Sequence, residues 1–297
     1  MIKESRFNQK IIRSEKASDK EVEDFNDYFQ NQQQMEVKEL EKNIEEEKVI
    51  DFFNSELSKE LESLGLEPES ISLDKIKFLG TDDYKKIQPN NSRGVFYDRS
   101  NIIIINIEHD DFKNKRLHLY KTLLHEMIHC LSFKKIGLKK ITNDNFAFNI
   151  ERTGYSLNKQ EKLYGFDEGV VDLITLDVLQ NNEEKLADLL NITEQEKSEF
   201  KNNIKIYNYS WFILGLAKKI SKGNQQLEKE ILTDVKRGEF TGNIMHLRKI
   251  EEFFGPKSLN VLSFLGLNKE KDELIFQFFN TTDEEEKDEL IKNITKK

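Results

Sequence analysis

The chain has one cysteine, Cys130, in 297 residues, only three prolines and one tryptophan, and its longest apolar run, WFILGLA at 211–217, is short. A single cysteine excludes an intrachain disulfide and a thiolate zinc cluster, and it suits a reducing compartment. A run of that length falls far below the roughly 20 residues needed to cross a bilayer. MIKESRFNQKIIRSEKAS at the start has basic residues with no continuous apolar segment behind them, so it does not read as a signal peptide. The expectation is a cytoplasmic protein with no membrane partner. Basic and acidic residues, 46 and 55, are interleaved to a net charge of −9. No basic stripe suited to a phosphate backbone stands out, which argues against a nucleic-acid partner.

With few breakers and abundant Leu, Glu, Lys and Gln, helix should dominate. The fold class expected is α+β, predominantly helical, in three parts: a polar helical or flexible arm at 1–46, a core at 47–182 and a helical C-terminal subdomain at 183–297. Val49, Phe53, Leu57, Leu61 and Leu64 recur at helical spacing and Gly65 ends the run, predicting a helix over about 47–64. ISLDKIKFLG, GVFYD and NIIIINIEH have the β-branched content of strands, and Ile102 to Ile105, apolar without alternation, predict a strand covered on both faces. From Lys113 to about Lys135 the pattern is helical, with KKIGLKK as its stop signal, followed by an irregular section at 139–163. A second helix is expected at about 167–181, and further helices near 194–203, 205–221, 225–237, 243–254 and 269–280. Tyr207, Tyr209 and Trp211 are read as core residues.

The chemistry centres on HEMIH, residues 125–129. Four residues along an α-helix amount to about 40° of rotation and about 6 Å of rise, so His125 and His129 can aim their rings at one divalent ion. Neutral imidazoles suit Zn²⁺, and Glu126, about 100° round from His125, can reach a water on the metal and act as general base. Because this pattern arises by chance in roughly one such chain per hundred, a third ligand must decide. His118 lies about 10 Å along the helix from His125, too far to share an ion. A short-spaced histidine is excluded by Ser132 and Lys135. In YGFDEGVVDLITLDVL, Glu168 can complete a His₂Glu site, and Asp172, one turn later, can accept a hydrogen bond from the free ring nitrogen of a histidine ligand.

Residues 95–177, a strand, then HEMIH on one helix and DEGVVD on a second, resemble the core of the gluzincins, the HExxH metallopeptidases whose third zinc ligand is a downstream glutamate. That resemblance implies a zincin-like core with a small, mostly antiparallel sheet packed on the HExxH helix. It implies Zn²⁺ carried by His125, His129 and Glu168, Glu126 as base, Asp172 behind a ligand, and a peptide or protein substrate. By chain order, Tyr155 or Tyr164 and His246 would stabilise the oxyanion. The alternative expectation is a non-catalytic helical interaction or regulatory protein that retains a zincin fold.

Overall fold

The structure, a computed structural model, describes residues 9–13, 38–89, 92–113, 115–142, 145–157, 162–203 and 208–296. In chain order these form β1 (Gln9–Arg13), α1 (Ile44–Ser63), β2 (Ile76–Leu79), α2 (Thr81–Ile87), β3 (Gly94–Tyr97), β4 (Ile102–Asn106), α3 (Arg116–Leu131), β5 (Lys134–Thr142), β6 (Asn145–Thr153) and α4 (Tyr164–Asn181). There follow α5 (Glu183–Leu190), α6 (Glu194–Asn203), α7 (Asn208–Ser221), α8 (Gln225–Thr241), α9 (Arg248–Phe254), α10 (Ser258–Leu262), α11 (Lys269–Asn280) and α12 (Glu284–Thr295). The molecule is mostly helical, with short strands, and so belongs to the α+β class. No described helix is long and apolar enough to cross a membrane.

β4 is the centre of a three-stranded sheet ordered β2-β4-β3. Its isoleucines divide by parity: Ile103 and Ile105 join the main core with Leu124, Met127 and Ile128 of α3, whereas Ile102 and Ile104 pack with Leu79 and Tyr84 on the other side. The strand is therefore covered on both faces, as its unbroken apolar run predicts. The expected mostly antiparallel pairing is corrected. β3 pairs antiparallel with β4, but β2 pairs parallel with it, because the chain leaves β2 through α2 and β3 before it returns along β4.

A second sheet, β1-β5-β6, replaces the irregular section expected after the HEMIH helix. KKIGLKK is strand rather than helix stop: α3 ends at Leu131, and β5 and β6 pair antiparallel along most of their length. The alternation of Phe146, Phe148 and Ile150 in the sequence is the period-two signal that the lysines obscured. Of the arm expected at 1–46, residues 9–13 form β1, parallel to β5, and Leu40 bridges to Phe78; residues 1–8 and 14–37 lie outside the described residues. Asn43 and Glu46 form a reciprocal capping box, so α1 begins at Ile44.

α4 carries apolar residues on every side and is largely buried, packed against α1, α3, α5, α7 and α8. One hydrophobic cluster runs from Val49 of α1 to Ile294 of α12, through both segments placed on either side of residue 182. Trp211 departs from its expected core role: it is 61% exposed on α7, while Tyr209 gives its hydroxyl hydrogen to Asp272 (2.8 Å). Tyr207 lies outside the described residues.

The first turn of α4 is seated by a close backbone approach. Gly165 donates its N–H to Leu265 O (2.9 Å), and a Cβ on it would lie 2.7 Å from Gly266 N and 2.8 Å from Leu265 C. Gly266 has φ +89° and gives its N–H to Asp272 Oδ1 (2.7 Å), so neither side can retreat cheaply. Gly165→Ala is expected to cost about 1–3 kcal/mol in chemical denaturation, the usual penalty of overpacking. Unchanged stability would contradict this packing.

Candidate metal centre

α3 and α4 pack antiparallel, and their contact brings the sequence-predicted ligands together. His125 Nε2 and His129 Nε2 are 3.2 Å apart. Glu168 places Oε2 at 3.4 Å from His125 Nε2 and Oε1 at 3.4 Å from His129 Nε2. The rings stand edge to face, centroids 4.8 Å apart at 74°. All three side chains are largely buried.

These separations provide the test for an ion. Ligands about 2.0–2.1 Å from a tetrahedral Zn²⁺ stand about 3.4 Å from one another. Two nitrogens and a carboxylate at 3.2–3.4 Å fit that spacing, and the donor set suits zinc. Electrostatics agree. Burial works against charge on His129, yet the neighbouring Glu168 carboxylate overrides it and lifts the imidazole to about 10. Burial likewise opposes ionisation of Glu168, and the two imidazoles override it, holding that carboxyl far below the usual range. The pocket between the three groups therefore favours positive charge.

Glu126 lies against β3, close enough to the ligand cluster for both imidazoles to act on its carboxyl. Burial pushes its carboxyl above the usual carboxylate range, opposed by the two imidazoles and a backbone hydrogen bond from Phe96. Gly94 permits this approach, since a Cβ there would lie 2.8 Å from Ile105 Cδ1, 2.9 Å from Thr122 Cγ2 and 3.2 Å from Glu126 Cγ.

Asp172 is not placed behind a histidine ligand. Its Oδ1 accepts from Lys121 Nζ (2.6 Å) and its Oδ2 from Ser210 Oγ (3.2 Å). Lys121 precedes His125 by one turn and Asp172 follows Glu168 by one turn, so on antiparallel helices the two form the next layer. The carboxylate beside an imidazole is that of Asp167, whose Oδ2 lies 3.8 Å from His129 Nδ1. Its Oδ1 is fixed by the N–H groups of Tyr155 (2.5 Å) and Ser156 (3.2 Å). Burial, opposed by His129, leaves the Asp167 carboxyl raised to about 6. The DEG tripeptide held this signal, because its first acid lies about 100° from Glu168 and faces the other nitrogen of the same ring.

Tyr155 and His246 also depart from their expected places. The Tyr155 side chain is fully buried, its hydroxyl donating to Val235 O (2.7 Å) and meeting His246 Nε2 at 2.7 Å. They are bonded to each other, with the phenol committed to the backbone of α8. Tyr164 is the tyrosine with access: it is 49% exposed and lies one turn before Glu168, on the same side of α4. Cys130 is buried, its Sγ 3.7 Å from Asn101 Oδ1.

No protein-family model, curated protein or solved structure matches this chain.

His246 yields a pH prediction. Burial pushes its imidazole down to about 4, below the usual value near 6.5, so the folded protein holds it neutral. A depressed value means stability that is present above pH 6.5 and lost as the pH falls toward 4, about 3 kcal/mol in all. His246→Gln should show a smaller decline in unfolding free energy between pH 7 and pH 4 than the wild type. Parallel declines would contradict it.

Proposed function

We propose that the chain is a zinc-dependent peptidase of the gluzincin type, with a zincin-like core made of the β2-β4-β3 sheet, α3 and α4. The convergence of His125, His129 and Glu168 at 3.2–3.4 Å carries this reading. Zinc held there supplies Lewis acidity, polarising a scissile carbonyl and lowering the pKa of a water. The remaining work falls to residues of the chain.

Glu126 takes the proton of the attacking water and passes it to the leaving nitrogen. Its buried position raises its basicity toward what a general base needs near neutral pH, and the hydrogen bond from Phe96 orients it. Among the described residues β3 pairs with β4 alone and so forms an edge of its sheet, with Gly94 packed against Glu126. Its outer edge offers backbone donors and acceptors to an extended peptide, which would lie antiparallel or parallel as a fourth strand. Tyr164 takes the carbonyl-stabilising role in preference to Tyr155, whose hydroxyl is bonded within the core. His246 has no part in this chemistry, because it is spent on Tyr155.

The test separates binding from chemistry. Purified protein should hold one zinc per chain, and His129→Ala should lose it. Glu126→Gln should keep the zinc while peptide hydrolysis falls about 10²–10⁴-fold, the range for loss of a general base. Unchanged turnover in Glu126→Gln would overturn the proposal.

A further inference from the structure

On the Nδ1 side of His129, opposite the ligand cluster, stands a pair of acids from different halves of the chain. Asp167 of α4 is one, and Glu239 of α8 is the other. Ligand atoms of His129, Asp167 and Glu239 lie within 4.8 Å of one another. Glu239 is fully buried, and neither of its carboxyl oxygens meets a hydrogen-bond donor in good geometry. The neighbouring hydroxyl, that of Ser132, gives its hydrogen to Ile128 O (2.9 Å). Gly154, at φ +50°, makes the room: a Cβ there would collide with both Glu239 Oε1 and Asp167 Oδ1.

The backbone has been arranged around this contact. Phe133 N donates to Glu239 O (2.9 Å) and Gly154 N to Phe133 O (2.7 Å), so the end of α8 is tied to the segment that leaves α3 and to the turn after β6. A buried acid whose oxygens meet no well-aligned donor is costly, so such a group needs a reason. Two arrangements satisfy the pair. In one, the carboxyl groups share a hydrogen, as closely spaced acids in a dry site do. In the other, a second cation sits between them and His129 Nδ1, which would require one imidazole to bind two ions through both nitrogens. The first satisfies the same atoms without stripping the ring of its last hydrogen.

We propose that Glu239 is a positioning residue for the metal centre: hydrogen-bonded to Asp167, it keeps that carboxylate aimed at His129 Nδ1 and so fixes the ring that presents Nε2 to the ion. This rests on the metal reading above. It makes α8, far from HEMIH in sequence, part of the centre, acting through Asp167 without touching substrate. Carboxylates behind a metal-binding imidazole set its tautomer and orientation, and their loss typically weakens metal binding about 10–100-fold.

The experiment measures zinc stoichiometry and Kd by competition with a chromophoric chelator for wild type, Glu239→Gln, Glu239→Met and, as a control for lost packing, Ile231→Ala on the same helix. Gln keeps a donor toward Asp167 and should hold zinc within about threefold of wild type, whereas Met, of similar length, should weaken it about 10–100-fold. Ile231→Ala should lower the melting temperature and leave Kd unchanged. A Met variant that binds like wild type, or a Gln variant as weak as Met, overturns the proposal, and a second zinc lost on substitution assigns the pair to a cation instead. Should the Met variant fail to fold, the Gln variant still decides, because weakened binding there is incompatible with the proposed contact. Wild type that binds no zinc overturns the metal reading and this inference with it, whereas one zinc bound equally by wild type and Glu239→Met overturns this inference alone.

Discussion

Two imidazoles and a carboxylate face one another across the antiparallel contact of α3 and α4, with little water around any of them. Ionisable groups removed from water are costly unless each finds a charge or a hydrogen bond, and the cost rises steeply when they are left apart. The register of these two helices is therefore the constraint on which the surroundings depend. A shift of one residue in α4 would turn Glu168 by about 100° and leave the imidazoles facing apolar side chains. The close approach of Gly165 to Gly266 fixes where α4 begins, and the isoleucines of β4 fix the face on which α3 lies.

The contact is layered. In the middle are His125, His129 and Glu168. One turn away, toward the start of α3, Lys121 and Asp172 form a buried ion pair that also engages Ser210 of α7. On the other side Asp167 and Glu239 close the stack against α8 and the turn after β6. The two outer layers each tie α3 or α4 to an element of the helical C-terminal half, so the segments on either side of residue 182 share one polar spine as well as one hydrophobic cluster. On the proposed reading, this is how a helical half with no ligand of its own shapes a metal site. The same stack explains the displacement of the two expected oxyanion residues. Tyr155 and His246 belong to its far wall, where the Tyr155 hydroxyl satisfies a backbone carbonyl of α8.

What the sequence made legible was local. His125 and His129 follow from helical spacing, Glu168 from an acid opening an apolar helix, and the double burial of β4 from four consecutive isoleucines. Asp172 was assigned by the same local logic and failed for a tertiary reason. It does share a face with Glu168, but Lys121, one turn before His125, reaches it, and the face also meets Ser210. The β5–β6 pair was hidden because lysines and a glycine after an apolar helix are the usual signature of a helix end. The parallel pairing of β2 with β4 depends on the path of the chain through α2 and β3, which no periodicity records. Glu239 sits in a charged stretch, DVKRGEF, and nothing local distinguishes it from a solvated acid; only the fold puts it beside Asp167.

X-ray absorption at the zinc edge of the zinc-loaded protein tests the central claim most directly. The account predicts a first shell of nitrogen and oxygen only, at about 2.0–2.1 Å, with the outer scattering of two imidazoles. A sulfur shell, a spectrum without imidazole scattering, or protein that retains no zinc to measure would contradict it.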